Sequence, residues 1–190
     1  MAMSEERRPA HAEEPSAGEV AEAFIRHARS LLTGDYLPKI ERCLERLTDA
    51  ETWWRASEES NSVGNLILHL SGNARQWIVS GLGGARDERV RQSEFDERAQ
   101  LPRAELLARL KETLAEVDAV LASLDTSRLM ERRPIQGLEV TGLEAVFHVV
   151  EHFSMHTGQI ILLAKMLRRA DLSFYDFSSG APLPNWHKSD

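Results

Sequence analysis

The segment HVVEHFSMH places His148, His152 and His156 at intervals of four residues. Four residues turn a helix through about 400°, so each imidazole stands almost above the last and an adjacent pair can meet one ion. Three such rings do not easily share one tetrahedral centre, because the outer two are separated by two turns. One adjacent pair is therefore the bidentate unit, and a third ligand must come from another helix. His69, in NLILHLSGN, is the other histidine set well inside an apolar helical run. Three neutral imidazoles with an open fourth position make a catalytic-type site for Zn2+, and the same nitrogens suit Ni2+ or Fe2+. Coordination would also satisfy one nitrogen of each buried ring and leave the other for a neighbouring acceptor. The residues alone leave open whether His148 or His156 partners His152. They also leave open the ordinary alternative, core or interface histidines with routine hydrogen bonds.

Four helical runs are needed to position these groups. From Ala17, apolar residues recur at helical spacing through Val20, Phe24, Ala28, Leu31, Leu37, Ile40, Leu44 and Leu47, with a break or bend near 33–35 at Gly34 and before Pro38. The second run, SVGNLILHLSGNARQWIVSGLGG, is capped by Asn61 or Ser62 and stopped by Gly81, Gly83 and Gly84. A third begins near Pro102 and carries the stripe Leu106, Leu107, Leu110, Leu114, Val117 and Leu121. The fourth begins at Thr141, with Glu144 as the acidic partner of a capping box, and ends in Arg168 and Arg169. Without a convincing β-alternating run, this pattern predicts an all-α four-helix bundle with long connections at 85–100 and 125–142. Residues 1–16 read as a flexible N-terminal tail, 17–177 as the metal-binding domain and 178–190 as a C-terminal tail. Phe174, Tyr175 and Phe177 are placed to fold back over the bundle.

With 190 residues, 42% of them hydrophobic, the chain can bury a substantial core. A formal net charge of -7 argues against nucleic acid and anionic lipid as partners and favours small soluble molecules. The run IILLAKML is too short to cross a bilayer, and the first residues lack the apolar core of a signal peptide. Cys43 is the single cysteine, so no intramolecular disulfide forms, and a reducing cytoplasm fits.

Other residues have weaker claims. Arg86, Arg89 and Arg91 could pair with a ligand carboxylate, against the plainer reading of solvated loop charge. Asn65 and Asn73 lie one turn either side of His69, where they could support the site or hydrogen-bond between helices. Trp77, Phe147, Phe153 and Met155 read as packing residues, and Trp53, Trp54 and Trp186 as covers for a bundle end or a dimer surface. His11 reads as part of a disordered lead, while His27 and His187 have no partner pattern.

NSVGNLILHLSGNARQWIVSGLGG and VFHVVEHFSMHTGQIILLAK resemble the DinB/YfiT-like superfamily, and in particular its DUF1572-type branch. The likeness in order and length runs from about Ala17 to Tyr175. Its closing metal pattern is a histidine, three residues, a second histidine and then Gly-Gln. By resemblance this pattern selects His152 and His156, and the helix-2 histidine of the superfamily matches His69. The loop DERVRQSEF is similar to a branch pattern of charged residues before an acidic-Phe pair, with Gln92 where an aspartate is expected.

The resemblance implies a bundle with rearranged helix order, often a homodimer, holding one divalent metal ion. It also implies an enzyme that transfers a low-molecular-weight thiol to a small electrophile or isomerises thiol adducts. A metal-dependent hydrolase is the enzymatic alternative, with Glu144, Glu151 and His148 as weak acid-base candidates, although no HExxH pattern is present. A non-catalytic metal-binding or structural stress-response protein is the alternative of another class.

Overall fold

The computed structural model describes residues 14–169 and 171–186. His11, His187 and most of the proposed N-terminal tail lie outside them. Helix α1 (Ala17–Leu31) starts at a capping box in which Ser16 and Glu19 serve each other's backbone N–H groups. It does not break at Gly34. A π turn, Leu32–Tyr36, carries the chain into α2 (Leu37–Arg46), and Pro38, which has no N–H for the ladder, follows directly after this widened turn. A short α3 (Asp49–Thr52) then leads to α4 (Val63–Ala74), capped by Ser62, and a second π turn, Arg75–Ser80, extends α4. Such turns insert a residue into the helical repeat and are frequent beside functional sites.

The expected long connection after α4 contains a further short helix, α5 (Arg91–Asp96), before α6 (Arg103–Ala122) and α7 (Gly142–Arg168). The Thr141–Glu144 capping box fixes the start of α7 as predicted, a device worth about 1 kcal/mol. Short antiparallel hairpins supplement the helices. Strands β1 (Arg132–Ile135) and β2 (Leu138–Thr141) pair across Gln136–Gly137, and β3 (Tyr175–Asp176) pairs with β4 (Leu183–Pro184). The absence of an alternating run hides β1–β2 from a reading of the sequence. The hairpin is specified instead by its two-residue turn, whose positive φ values of 53° and 78° suit a type I′ geometry that glycine eases.

α4 packs against α6 on one side and α7 on the other, while α2 also packs on α7. This central position explains why α4 is apolar around most of its circumference. Ile67, Leu70, Leu110, Leu114, Phe153 and Ile160 are all fully buried in the core it helps to form. The chain after α7 returns along the first helices: Arg42 donates to the Asn185 carbonyl, Trp186 Nε1 donates to the Gly34 carbonyl, and Lys39 bonds Tyr175. No described helix is long and apolar enough to cross a membrane.

Candidate metal centre

α4 and α7 bring His69, His152 and His156 together so that their ligand nitrogens all lie within 4.8 Å of one another. His69 and His156 are buried and His152 is half-buried. His152 Nε2 stands 3.1 Å from His69 Nε2 and 3.0 Å from His156 Nε2. Two nitrogens each bound to one ion at about 2.1 Å in tetrahedral geometry would be about 3.4 Å apart, somewhat wider than these separations and within reach of small side-chain shifts. The outer nitrogens of His69 and His156 have protein partners: Glu94 Oε2 is 2.8 Å from His69 Nδ1, and Gln159 Oε1 is 2.7 Å from His156 Nδ1.

The donor set fits a divalent cation on a specific count of protons. His152 Nε2 faces two nitrogens but carries at most one proton, and His152 Nδ1 is buried without a hydrogen-bond partner among the described residues. Protein hydrogen bonds therefore cannot satisfy the cluster fully, whereas a shared cation would accept the converging lone pairs. The electrostatics suit neutral ligands. Burial, reinforced by proximity to His156, His69 and His148, pushes His152 down to about 3. His156 is lowered by burial despite its bond to Gln159.

His148 takes another place. Its ring lies 4.0 Å from that of Trp77 and is stacked beside His152, and its Nε2 is 3.2 Å from Asn73 Nδ2. Burial lowers its pKa, with Glu151 working in the opposite direction. Asn73 thus supports His148, while Asn65 serves the α4 cap and donates to the Glu94 carbonyl at 2.8 Å.

Glu94 escapes the helix periodicities because it comes from the polar 85–100 connection. The signal lay in the acidic-Phe pair of DERVRQSEF: Glu94 reaches His69, and the Phe95 ring stands 4.7 Å from the imidazole. Arg89 grips the same carboxylate through Nε at 2.7 Å and Nη2 at 2.9 Å, and donates to Gln76 at 2.8 Å. Burial opposes ionisation of Glu94, but hydrogen bonds from His69 and Arg89 outweigh it and lower the carboxyl pKa.

The other loop arginines separate from Arg89. Arg86 is solvated beside Glu88, and Arg91 lies over the Phe95 ring. Arg89 and Glu94 line a cavity of about 330 Å³ with Gly72, Arg75, Arg86 and Arg109. Trp77 and Phe153 are core residues as expected, but Phe147 and Met155 are 56% and 54% exposed on α7. Their positions on its solvent face override their apolar character. Trp53 is buried and donates to the Leu101 carbonyl, whereas Trp54 and His27 are exposed. Cys43 is fully buried, and burial pushes its thiol up to about 12, which removes it as a nucleophile.

The helical arrangement is similar to that of a DinB-like protein from Bacillus cereus ATCC 10987, with a TM-score of 0.59 and 15% identity over 77% of this chain and 91% of that one. It is also similar to a conserved protein from Enterococcus faecalis, with a TM-score of 0.57 and 15% identity over 83% of this chain and 100% of the other. These likenesses define a mainly helical DinB/YfiT-like fold. Residues 19–180 match the profile described as "Protein of unknown function (DUF1572)", and the chain belongs to that family. No match was found among curated proteins.

Proposed function

We propose that this chain is a divalent-metal-dependent enzyme that transfers a low-molecular-weight thiol to a small electrophile, with His69, His152 and His156 as metal ligands. The observation that carries the reading is the convergence of three imidazoles from two helices, with the His152 ring left unsatisfied by the described protein groups. Zn2+, Ni2+ or Fe2+ would act there as a Lewis acid that lowers the pKa of a coordinated thiol.

The surrounding residues support thiol transfer over hydrolysis. Glu94 is occupied by Arg89 and His69, Glu144 by the α7 capping box and His148 Nε2 by Asn73, and Glu151 is exposed. A hydrolase would profit from a free general base beside the ion, whereas a thiol acidified by the cation needs less help. Because Cys43 is inert, the thiol must be supplied from solution. The cavity beside Arg89 does not add to this reading, because its Arg75, Arg86 and Arg109 pair with Glu116, Glu88 and Glu105 and none of the three histidines lines it. In this reading the protein works in the cytoplasm as a homodimer. The exposed Phe147, Met155, Leu162 and Met166 on α7 supply an apolar face for a second copy.

The test is metal content of untagged protein, followed by consumption of thiol in the presence of a chromogenic electrophile. About one ion per chain and metal-dependent loss of free thiol are expected, with both absent in His69→Ala and His152→Ala. Protein that takes up none of Zn2+, Ni2+ or Fe2+ would overturn the metal reading. Stoichiometric metal without turnover of any thiol would leave the non-catalytic role in its place.

A further inference from the structure

The Nδ1 atom of His69 has two competing neighbours. Glu94 Oε2, an acceptor, lies at 2.8 Å, and Arg89 Nη2, an obligatory donor, lies at 3.2 Å. If Nδ1 carries the proton, it donates to Glu94 and leaves Nε2 as a bare lone pair facing His152. If Nδ1 is bare, it accepts from Arg89, sets its lone pair against the carboxylate, and points an N–H at the cluster. The two arrangements have opposite consequences for metal binding.

We propose that Arg89 and Glu94 form a positioning pair that holds His69 in the Nδ1–H tautomer, and that Gly72 is the residue that admits the pair. This role rests on the metal centre proposed above, while the contacts themselves are independent of it. The carboxylate contact is shorter, and it joins a donor to an ion. Arg89 donates to Glu94 through Nε and one Nη2–H and to Gln76 through Nη1, which aims the carboxylate; its second Nη2–H also lies near the imidazole, so the shorter contact of His69 to the ionised Glu94 decides the tautomer. The side chains of Arg89 and Glu94 are only 5% and 10% exposed, so water does little to loosen this chain of bonds.

Gly72 supplies the independent observation. It lies one turn after His69 on α4, directly beneath the pair. A Cβ there would overlap Glu94 Oε1 and stand 2.9 Å from Glu94 Cδ and 3.0 Å from Arg89 Nε. The helix accepts the modest propensity cost of glycine at this position, and the carboxylate gains its approach to the helix surface. Asn65 holds the other end of the same segment by donating to the Glu94 carbonyl, so backbone and side chain are both fixed. Through these contacts the DERVRQSEF motif selects which nitrogen of His69 carries the proton, and so whether a lone pair or an N–H faces the other two histidines.

The experiment begins with metal-stripped, 15N-labelled parent protein at pH 7.5 and reads the His69 ring nitrogens by long-range 1H–15N correlation. A protonated Nδ1 with a bare Nε2 is expected; a bare Nδ1 overturns the proposal whether or not the protein binds metal. Gly72→Ala and Glu94→Gln are then expected to give mixed tautomers, since the amide of Gln can donate as well as accept. Both should weaken Zn2+ binding, measured by competition with a chromophoric chelator, by about 10- to 100-fold. Circular dichroism identifies variants that remain helical. A helical variant of either kind with parental tautomer and parental Zn2+ affinity would also overturn the proposal. Parent protein that shows the expected tautomer but takes up no Zn2+, Ni2+ or Fe2+ would sink the metal function while leaving the positioning pair standing.

Discussion

The segment around Arg89 and Glu94 and the C-terminal segment around Tyr175 and Trp186 both close over helices, yet water reaches them to different degrees. In the first, an ion pair is almost wholly withdrawn from water and its hydrogen bonds lead toward a histidine. In the second, Lys39 bonds Asp35 and a 40% exposed Tyr175, and its ammonium lies 4.9 Å from the Trp186 ring centroid. Contacts of the second kind contribute modestly where water reaches one partner, as it does at Tyr175, although the Lys39 side chain is only 12% exposed. Buried charges contribute little net stability either, but removing one partner is costly because the other is left without solvent or counter-charge. The difference shows that the 85–100 connection specifies a geometry, while the C-terminal segment mainly fastens a chain end.

The largest effect expected is on the metal centre that the first region backs. His152→Ala should reduce bound metal from about one ion per chain to a trace, measured by elemental analysis, because the remaining nitrogens lose their common neighbour. Retention of full stoichiometry would break the comparison at its root. Next comes Arg89→Ala, which strands the Glu94 carboxylate and should destabilise the chain by about 3–5 kcal/mol in urea unfolding. The Arg89→Ala/Glu94→Ala double variant should recover part of that loss, since it removes the stranded charge as well.

Acid sharpens the contrast further. The folded pKa of His152 is pushed down to about 3 by burial and neighbouring histidines, below an unfolded value near 6.5. A depressed folded pKa means that the unfolded chain binds protons first. The corresponding stability is complete above about 6.5 and is lost progressively as pH falls toward 3. His156 and His148 shift in the same direction, both chiefly through burial. Melting of metal-stripped protein should therefore occur at lower temperature at pH 5.5 than at pH 7.5. No histidine lies in 171–186 to reproduce that dependence. An unchanged melting temperature would contradict the burial of neutral imidazoles.

The smallest effect belongs to the C-terminal fastening. Tyr175→Phe removes one exposed hydrogen bond to Lys39 and should cost under about 1 kcal/mol, a fall of a few degrees at most in melting temperature. A loss comparable to that of Arg89→Ala would erase the distinction between the two regions.

Much of the helical plan was legible because helices announce themselves over many residues. The apolar stripe of α6, the Thr141–Glu144 box and the glycines after α4 are all local signals. Short elements were harder. A turn such as Gln136–Gly137 sets its hairpin through two dihedral pairs, leaving little periodicity to detect. Exposure of Phe147 and Met155 was also hidden, because residue type states a preference for burial but not which face of α7 meets the core.

By itself, the sequence determined where the four principal helices lie and that His69, His152 and His156 occupy helical positions, since those properties follow from spacing along a regular repeat. The resemblance distinguished His152–His156 from His148–His152; periodicity treats the two pairs alike. Only the tertiary structure decided that Glu94 and Arg89, remote from α7 in sequence, meet behind His69 over Gly72. That outcome depends on how an irregular segment is drawn against α4, where a few short contacts between distant residues, and no repeat in the chain, fix the geometry.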